Sequence, residues 1–181
     1  MTGIMGLWAD WQASRARKQR VEVYLNHLVR EAEAPTLAWL TAVCGSADVA
    51  ARELGFARRA IGLIVAERDA LDDQTAADVA HHLAPVVAAE SRRHAETGRL
   101  WAERWRSYTA ALAVRGSQTT PAARLAKVLL EGAGMPAPTA EVLAVGTDFV
   151  QETRAALNEQ LRTAFGAASL PEDVRPSALR S

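Results

Sequence analysis

The chain has 181 residues, of which 49% are hydrophobic, and its 21 basic residues balance its 21 acidic residues. This length and composition exclude a disordered chain and predict one domain with a substantial hydrophobic core. A net charge of zero argues against attraction of the whole surface to nucleic acid and leaves room only for a local basic patch.

The first predicted helix covers residues 4–33 and carries three distinct surfaces in succession. An apolar stripe with two tryptophans opens the helix, a basic cluster follows, and a second apolar stripe near the end faces the core. The first stripe consists of Ile4, Leu7, Trp8 and Trp11, the cluster of Arg15, Arg17, Lys18 and Arg20, and the second stripe of Val21, Leu25, Leu28 and Ala32. We therefore expect the tip of this helix, residues 1–20, to project beyond a bundle.

Such a tip predicts a surface that something else covers. Among binding roles, a protein partner or a second copy of the chain is the favoured interpretation, because tryptophan buries a large area at interfaces for little lost entropy. The same combination of aromatic stripe and basic cluster is also typical of helices that lie on anionic membranes. In a third interpretation the tip folds back onto its own bundle and has no binding role.

A short second helix is predicted over residues 36–44, and Ser46 can cap the helix that follows it. The short helix ends at Cys44, the single cysteine of the chain. A lone thiol cannot form an internal disulfide, and the N-terminal residues lack the order of charges typical of a secretory signal. We therefore expect a reducing, cytoplasmic location.

The third predicted helix, residues 47–71, contains a stretch that resembles a helix-turn-helix. Within residues 47–65, ADVAARELGFARRAIGLIV, Gly55 occupies the position where the turn requires a left-handed backbone. Leu54 and Ile61 occupy core positions on either side of it. In this interpretation the second helix of the motif would enter a DNA groove. The basic residues that would contact DNA are Arg52, Arg58 and Arg59.

Other features of the same stretch favour one long core helix. The run Ala60–Ala66 is apolar on every face, which is typical of a central helix and unsuited to a groove. DNA phosphates would repel the acidic residues that follow, and a core helix tolerates Gly55 at a cost of about 1 kcal/mol. Those acidic residues are Glu67, Asp69, Asp72 and Asp73. We prefer the core helix and keep DNA binding as the alternative.

The fourth predicted helix covers residues 75–96, and Gly98 separates it from a fifth at 99–114. Thr75 followed by Asp78 resembles a capping box at the start of the fourth helix. Pro85 lies inside this helix and should kink it or delay its start.

Glu90 and His94 lie four residues apart on one face of the fourth helix, a spacing at which two side chains can share a metal ion or a proton. The surrounding residues, ESRRHAETGR, are polar on every face, as at a helix end that leaves the core. A carboxylate-bridged di-metal bundle would also need Glu-x-x-His on two helices. A metal- or ligand-binding bundle is therefore the weakest alternative, and we predict no cofactor.

The sixth predicted helix covers residues 121–132, and the last covers 139–166. Thr120 and Thr139 stand where N-caps are needed. The last helix has a continuous apolar stripe formed by Leu143, Val150, Leu157, Leu161 and Phe165. Residues 169–181 contain two prolines and few apolar residues, and we expect a flexible tail.

These elements predict an all-α, single-domain helical bundle of six or seven helices over residues 1–168. The chain lacks nucleophile, phosphate-loop and dinucleotide motifs, so no catalytic residue is predicted and we expect a protein without enzymatic activity. Its expected function is that of an accessory subunit, adaptor or self-assembling component. The expected partner is another protein or the same chain in a homo-oligomer, with peripheral membrane contact and nucleic acid as less favoured alternatives.

Overall fold

The structure, a computed structural model, describes residues 3–70, 73–114 and 118–166, with residues 3–10 described by their backbone only. Within these ranges the chain forms seven α-helices and no strand, which confirms the predicted all-α bundle. The helices are α1 (Gly3–Leu28), α2 (Ala34–Cys44), α3 (Ala47–Asp69), α4 (Asp73–Arg93), α5 (Ala95–Ala113), α6 (Pro121–Gly132) and α7 (Ala140–Phe165).

Helix α3 is the centre of the bundle. It contacts each of the other six helices, and 12 of its 23 residues are buried. In the apolar run Ala60–Ala66 every residue except the half-buried Leu63 is buried. A helix that is apolar on all faces has no side to turn toward water, so its neighbours must surround it.

Three helices begin at the caps that the sequence predicts. The hydroxyl of Ser46 accepts a 3.3 Å hydrogen bond from the Val49 N–H at the start of α3. At the start of α6 and of α7, Thr120 and Thr139 accept equivalent bonds of 3.2 Å and 3.3 Å. Each bond satisfies a backbone donor that has no partner within its own helix.

Two predicted boundaries differ from the structure. Helix α1 ends at Leu28, before residue 33, because α2 begins at Ala34 with Pro35 in its first turn, and the backbone of Glu33 before it is extended. The break between α4 and α5 lies at His94, whose backbone is extended, and not at Gly98. Gly98 is helical, and a Cβ there would collide with the Ser91 side chain, so this glycine allows α4 and α5 to approach closely.

The predicted start of α4 is also wrong. The helix begins at Asp73, so Thr75 lies inside its first turn, where it is 2% exposed. Asp78 does not complete a capping box, because its carboxylate pairs with Arg17 of α1. Pro85 does not delay the start, since the helix continues through it with the proline ring exposed.

The core is completed by α7, which packs against α1, α3 and α6. Val150, Leu157 and Leu161 of its predicted stripe are buried, and Leu143 and Phe165 are half-buried. The predicted tail, residues 169–181, falls outside the described residues. Within residues 3–70, 73–114 and 118–166, no helix has the length and apolar character needed to cross a membrane.

Candidate functional site

Residues 11–16 of α1 lie clear of the rest of the bundle. Residues 11–16 are all exposed, and six residues cover more than one full helical turn of about 3.6 residues. No face of this stretch is therefore covered by another helix. Trp11 lies within it with 54% of its surface exposed, more than any other large hydrophobic residue whose side chain the structure describes.

The predicted partner-binding residues divide into an exposed group and a docked one. The guanidinium of Arg15 lies over the Trp11 ring, 5.4 Å from its centroid. Arg17 pairs with Asp78 and contacts Thr75 of α4, which is where α1 joins the bundle. Lys18 is 3.9 Å from Glu22 in an exposed pair, and Arg20 is exposed. The side chains of the remaining predicted residues, Ile4, Leu7 and Trp8, lie outside the described part of the chain.

The electrostatic character of this stretch is positive. Residues 11–20 contain four basic side chains and no acidic one. Asp78 neutralises the half-buried Arg17, whereas Arg15 and Arg20 extend into solvent. Exposed positive charge beside an exposed tryptophan is an arrangement that can bind an acidic, partly apolar surface.

The helix-turn-helix interpretation of residues 47–65 is wrong, because these residues belong to the uninterrupted helix α3. A turn at Gly55 would require a positive φ, and in the described ranges only Gly45, Gly134 and Gly166 have one. The physical reason is the apolar run that follows Gly55. Burying that run on all sides stabilises a continuous helix by more than one interior glycine costs.

The three arginines assigned to DNA contact instead make contacts within the protein. Arg52 lies 3.4 Å from the carboxylate of Glu53. Arg58 donates to the carbonyl oxygen of His27, and burial together with the charge of Arg30 lowers the pKa of Arg58. Arg59, 9% exposed, forms a two-pronged ion pair with Glu90, with both N–O distances at 2.6 Å.

That ion pair also involves one of the two weakly predicted metal ligands, Glu90 and His94. Both carboxylate oxygens of Glu90 accept hydrogen bonds from Arg59. His94 lies beyond the last residue of α4 and is exposed. In the described part of the chain, no three His, Cys, Asp or Glu side chains are grouped in a way that could hold a metal ion.

A buried ion pair that the sequence interpretation missed joins three helices. Glu53 of α3 is fully buried, and its carboxylate accepts a 2.8 Å hydrogen bond from Nε of Arg104 in α5. Arg104 also donates to the carbonyl oxygen of Gly132 at the end of α6. A Cβ on Gly132 would collide with both charged groups, so this glycine is what lets α6 approach them.

Burial and hydrogen bonding act in opposite directions on the Arg104 pKa. Burial alone would lower it, but the hydrogen bond and charge of Glu53 raise it above its ordinary value. Tyr108 is fully buried beside the pair, and its hydroxyl has no hydrogen-bond partner among the described residues. Burial, and then the charge of Glu53, raise the Tyr108 pKa.

A sequence signal for this pair exists in α3. Glu53 lies three residues after Ala50 and four before Ala57, both buried, so it occupies the core face of the helix. A carboxylate on a core face is rarely buried without a cationic partner. The signal predicts a buried arginine or lysine, but the sequence does not indicate which of the chain's 21 basic residues supplies it.

Comparison with protein-family models, with curated proteins and with solved structures finds no significant match.

Proposed function

We propose that this protein acts without catalysis, by binding a protein partner that presents an acidic surface to the N-terminal segment of α1, residues 3–20. The exposure of residues 11–16 on every side of the helix carries the proposal. Soluble proteins seldom expose large apolar groups together unless a partner covers them. The sequence places Ile4, Leu7 and Trp8 on the same stripe as the exposed Trp11.

Charge supports an acidic partner over a second copy of the segment. Two copies paired through residues 3–20 would bring four basic side chains against four others, and each copy would contribute one acidic side chain, Asp10. The pair between Lys18 and Glu22 is solvent-exposed and contributes little, because such pairs are typically worth 0–1 kcal/mol. An acidic surface would instead be attracted to Arg15 and Arg20, and that attraction accelerates association.

The segment is also suited to binding because it is already helical. Residues 3–20 belong to the same continuous helix as the buried residues Val21, Tyr24, Leu25 and Leu28. A preformed helix loses less conformational entropy on binding than a disordered segment, so more of the contact energy remains as affinity. Trp11 can then act as an anchor whose two side-chain torsions are the main freedom lost.

The direct test is binding to a designed probe. A fluorescently labelled helical peptide with leucine on one face and glutamate on the other would be titrated with the protein, and anisotropy would be recorded at two salt concentrations. We expect binding that weakens as salt rises, and weaker binding to the same peptide with glutamine in place of glutamate. Trp11→Ala should raise the Kd about 30-fold, corresponding to about 2 kcal/mol.

Matched charge reversals provide the control. Arg15→Glu with Arg20→Glu should abolish binding to the acidic peptide. Arg99→Glu with Arg106→Glu changes the net charge equally at exposed positions of α5 and should leave the affinity nearly unchanged. Equal loss in both double variants, or equal binding of the charged and neutral peptides, would contradict the proposal. Binding to vesicles with anionic lipid but not to the peptide would assign the segment to membranes instead.

We propose a cytoplasmic location for this function. The proposal rests on cysteine usage: Cys44 is the single cysteine of the sequence and is half-buried, with its Sγ 3.2 Å from the Ser46 carbonyl oxygen. An internal disulfide is therefore not available to the fold. Fractionation of cells that produce the full chain would test this location.

A further inference from the structure

A cavity of 260 Å³ lies between α3, α6, α7 and the end of α5. This volume exceeds the roughly 150 Å³ cavity that can hold benzene and is close to the lower limit of about 300 Å³ for small-molecule pockets. Its wall is apolar and is formed by Ile61, Ile64, Leu112, Leu125 and Val150. A ligand inside it would bury hydrocarbon.

The rim of the cavity is positively charged. Arg68 of α3 and Arg154 of α7 both line it, together with the uncharged Gln151 and Thr120, and none of the described lining residues is acidic. Arg68 is exposed and has no ion-pair partner among the described residues. A ligand that enters past these two guanidinium groups would be favoured if it carried a negative charge.

The carboxylate that pairs with Arg154 leaves the charge of this arginine largely available. Asp69 is 3.7 Å from Arg154, a long separation for an ion pair, and Arg154 is 57% exposed. The same Asp69 oxygen accepts a 2.9 Å hydrogen bond from Asn158. The Asp69 carboxylate is therefore shared between two donors of α7, and Arg154 can contact a second anion.

The start of α6 adds to the positive potential at the same rim. Thr120, Pro121 and Ala122 line the cavity, and they form the N-cap and the first residues of α6. The N-terminal end of a helix carries a partial positive charge from its aligned peptide dipoles. This potential reinforces the two arginines, which remain the main determinants of the ligand's charge.

We propose that this cavity binds a small amphipathic carboxylate, with its hydrocarbon part inside the cavity and its carboxylate at Arg68 and Arg154. The apolar wall selects the hydrocarbon, and the guanidinium groups select the anionic head. A cationic ligand would be repelled at the rim. A neutral ligand of the same length would forgo the charge-assisted hydrogen bonds. The site is separate from the N-terminal segment of α1, so neither proposal depends on the other.

The test uses octanoate as the probe with the full-length protein. Isothermal titration calorimetry would compare octanoate with octanol and with octylammonium, all below the concentrations at which they aggregate. We expect saturable binding of octanoate, binding of octanol at least tenfold weaker, and none of octylammonium. A rise in the melting temperature with octanoate concentration would show that the ligand binds the folded state.

Two kinds of variant locate the site. Arg68→Gln with Arg154→Gln should weaken octanoate binding at least tenfold, whereas Arg99→Gln with Arg106→Gln on α5 removes equal charge elsewhere and should not. Both arginines of the cavity are exposed, so their replacement is compatible with folding. Ala122→Leu adds hydrocarbon at the cavity wall and should also weaken binding.

Specific outcomes would overturn this proposal. The first two are that the unaltered protein does not bind octanoate at millimolar concentration, or that it binds octanol as tightly as octanoate. The other two are that both double variants lose octanoate affinity equally, or that Ala122→Leu binds octanoate as tightly as the unaltered protein does.

Discussion

The carboxylate of Glu53 is fully buried and lies 2.8 Å from Nε of Arg104, which itself is only 15% exposed. Removing two charges from water costs several kcal/mol for each, and their attraction in the interior only approximately compensates. The pair is therefore better understood as a constraint on which helices meet. Through the Gly132 carbonyl oxygen it fixes α3, α5 and the end of α6 in one arrangement.

Neutralising one partner should be costly. Glu53→Gln keeps the shape of the side chain but leaves the largely buried Arg104 with only the exposed Glu103 as a counter-charge, and we expect the free energy of unfolding to fall by about 3 kcal/mol. Urea denaturation at neutral pH would measure this change in the free energy of unfolding. Glu103→Gln is the matched control, because Glu103 also contacts Arg104 but is 49% exposed, and it should change stability by less than about 0.5 kcal/mol. Equal effects of the two substitutions would contradict this account of the buried pair.

Gly55→Ala distinguishes the continuous helix from a helix-turn-helix. A Cβ at Gly55 meets no atom within 4 Å, and the residue lies in the interior of α3. Alanine should therefore stabilise the protein by up to about 1 kcal/mol, seen as a higher melting temperature. Gly132→Ala is the contrasting variant, which should destabilise because its Cβ would displace Glu53 and Arg104. A loss of stability at Gly55 would indicate a turn at that residue.

The two tyrosines predict how stability changes in alkali. Both Tyr24 and Tyr108 are fully buried, and burial raises the pKa of each hydroxyl. The negative charge of Asp69 raises the pKa of Tyr24 further, and that of Glu53 raises the pKa of Tyr108. Below pH about 10 the tyrosines are neutral in both the folded and the unfolded state and cause no pH dependence. Above that pH the unfolded chain loses these protons while the folded one keeps them, so stability falls as pH rises.

The slope of that loss is measurable. Each tyrosine should contribute about 1.4 kcal/mol per pH unit above pH about 10, and the sequence has only two lysines to titrate in the same range. Tyr24→Phe should halve the tyrosine contribution. It should also cost about 1 kcal/mol at neutral pH, through loss of the 3.0 Å hydrogen bond to the Gly62 carbonyl oxygen. If the free energy of unfolding falls with pH between pH 9 and 11 as steeply in Tyr24→Phe as in the unaltered protein, Tyr24 is not a source of this pH dependence.

The last helix should contribute strongly to the core. Leu157→Ala removes a fully buried side chain of α7, and we expect a loss of about 2–5 kcal/mol because the cavity can relax only in part. Val145→Ala on the same helix, at a position 41% exposed, should cost less than about 0.5 kcal/mol. Equal melting temperatures for the unaltered protein and Leu157→Ala would show that α7 does not belong to the core.

Much of the fold follows from local sequence signals. The caps at Ser46, Thr120 and Thr139 determine three helix starts, because a single hydroxyl at each supplies the missing acceptor. The apolar run Ala60–Ala66 predicts the central helix for an equally local reason, since hydrophobicity on every face requires burial.

Tertiary contacts explain what the sequence did not predict. Gly98 has the appearance of a helix break, yet its role depends on Ser91 of another helix. Asp78 has the spacing of a capping residue, but its partner is Arg17, 61 positions away. Arg59 resembles a DNA-contacting residue until the position of Glu90 is known. In each case the deciding partner lies on another helix, and the periodicity within one helix carries no information about it.

The most direct test of the proposed function is the affinity of a chain that lacks residues 1–12 for the acidic amphipathic peptide, measured with its melting temperature. Removing these residues takes away Trp11 and the predicted apolar stripe but none of the buried core residues that the structure describes. The account predicts a melting temperature nearly equal to that of the full chain and no detectable peptide binding. Undiminished binding, or a shortened chain that no longer folds, would contradict it.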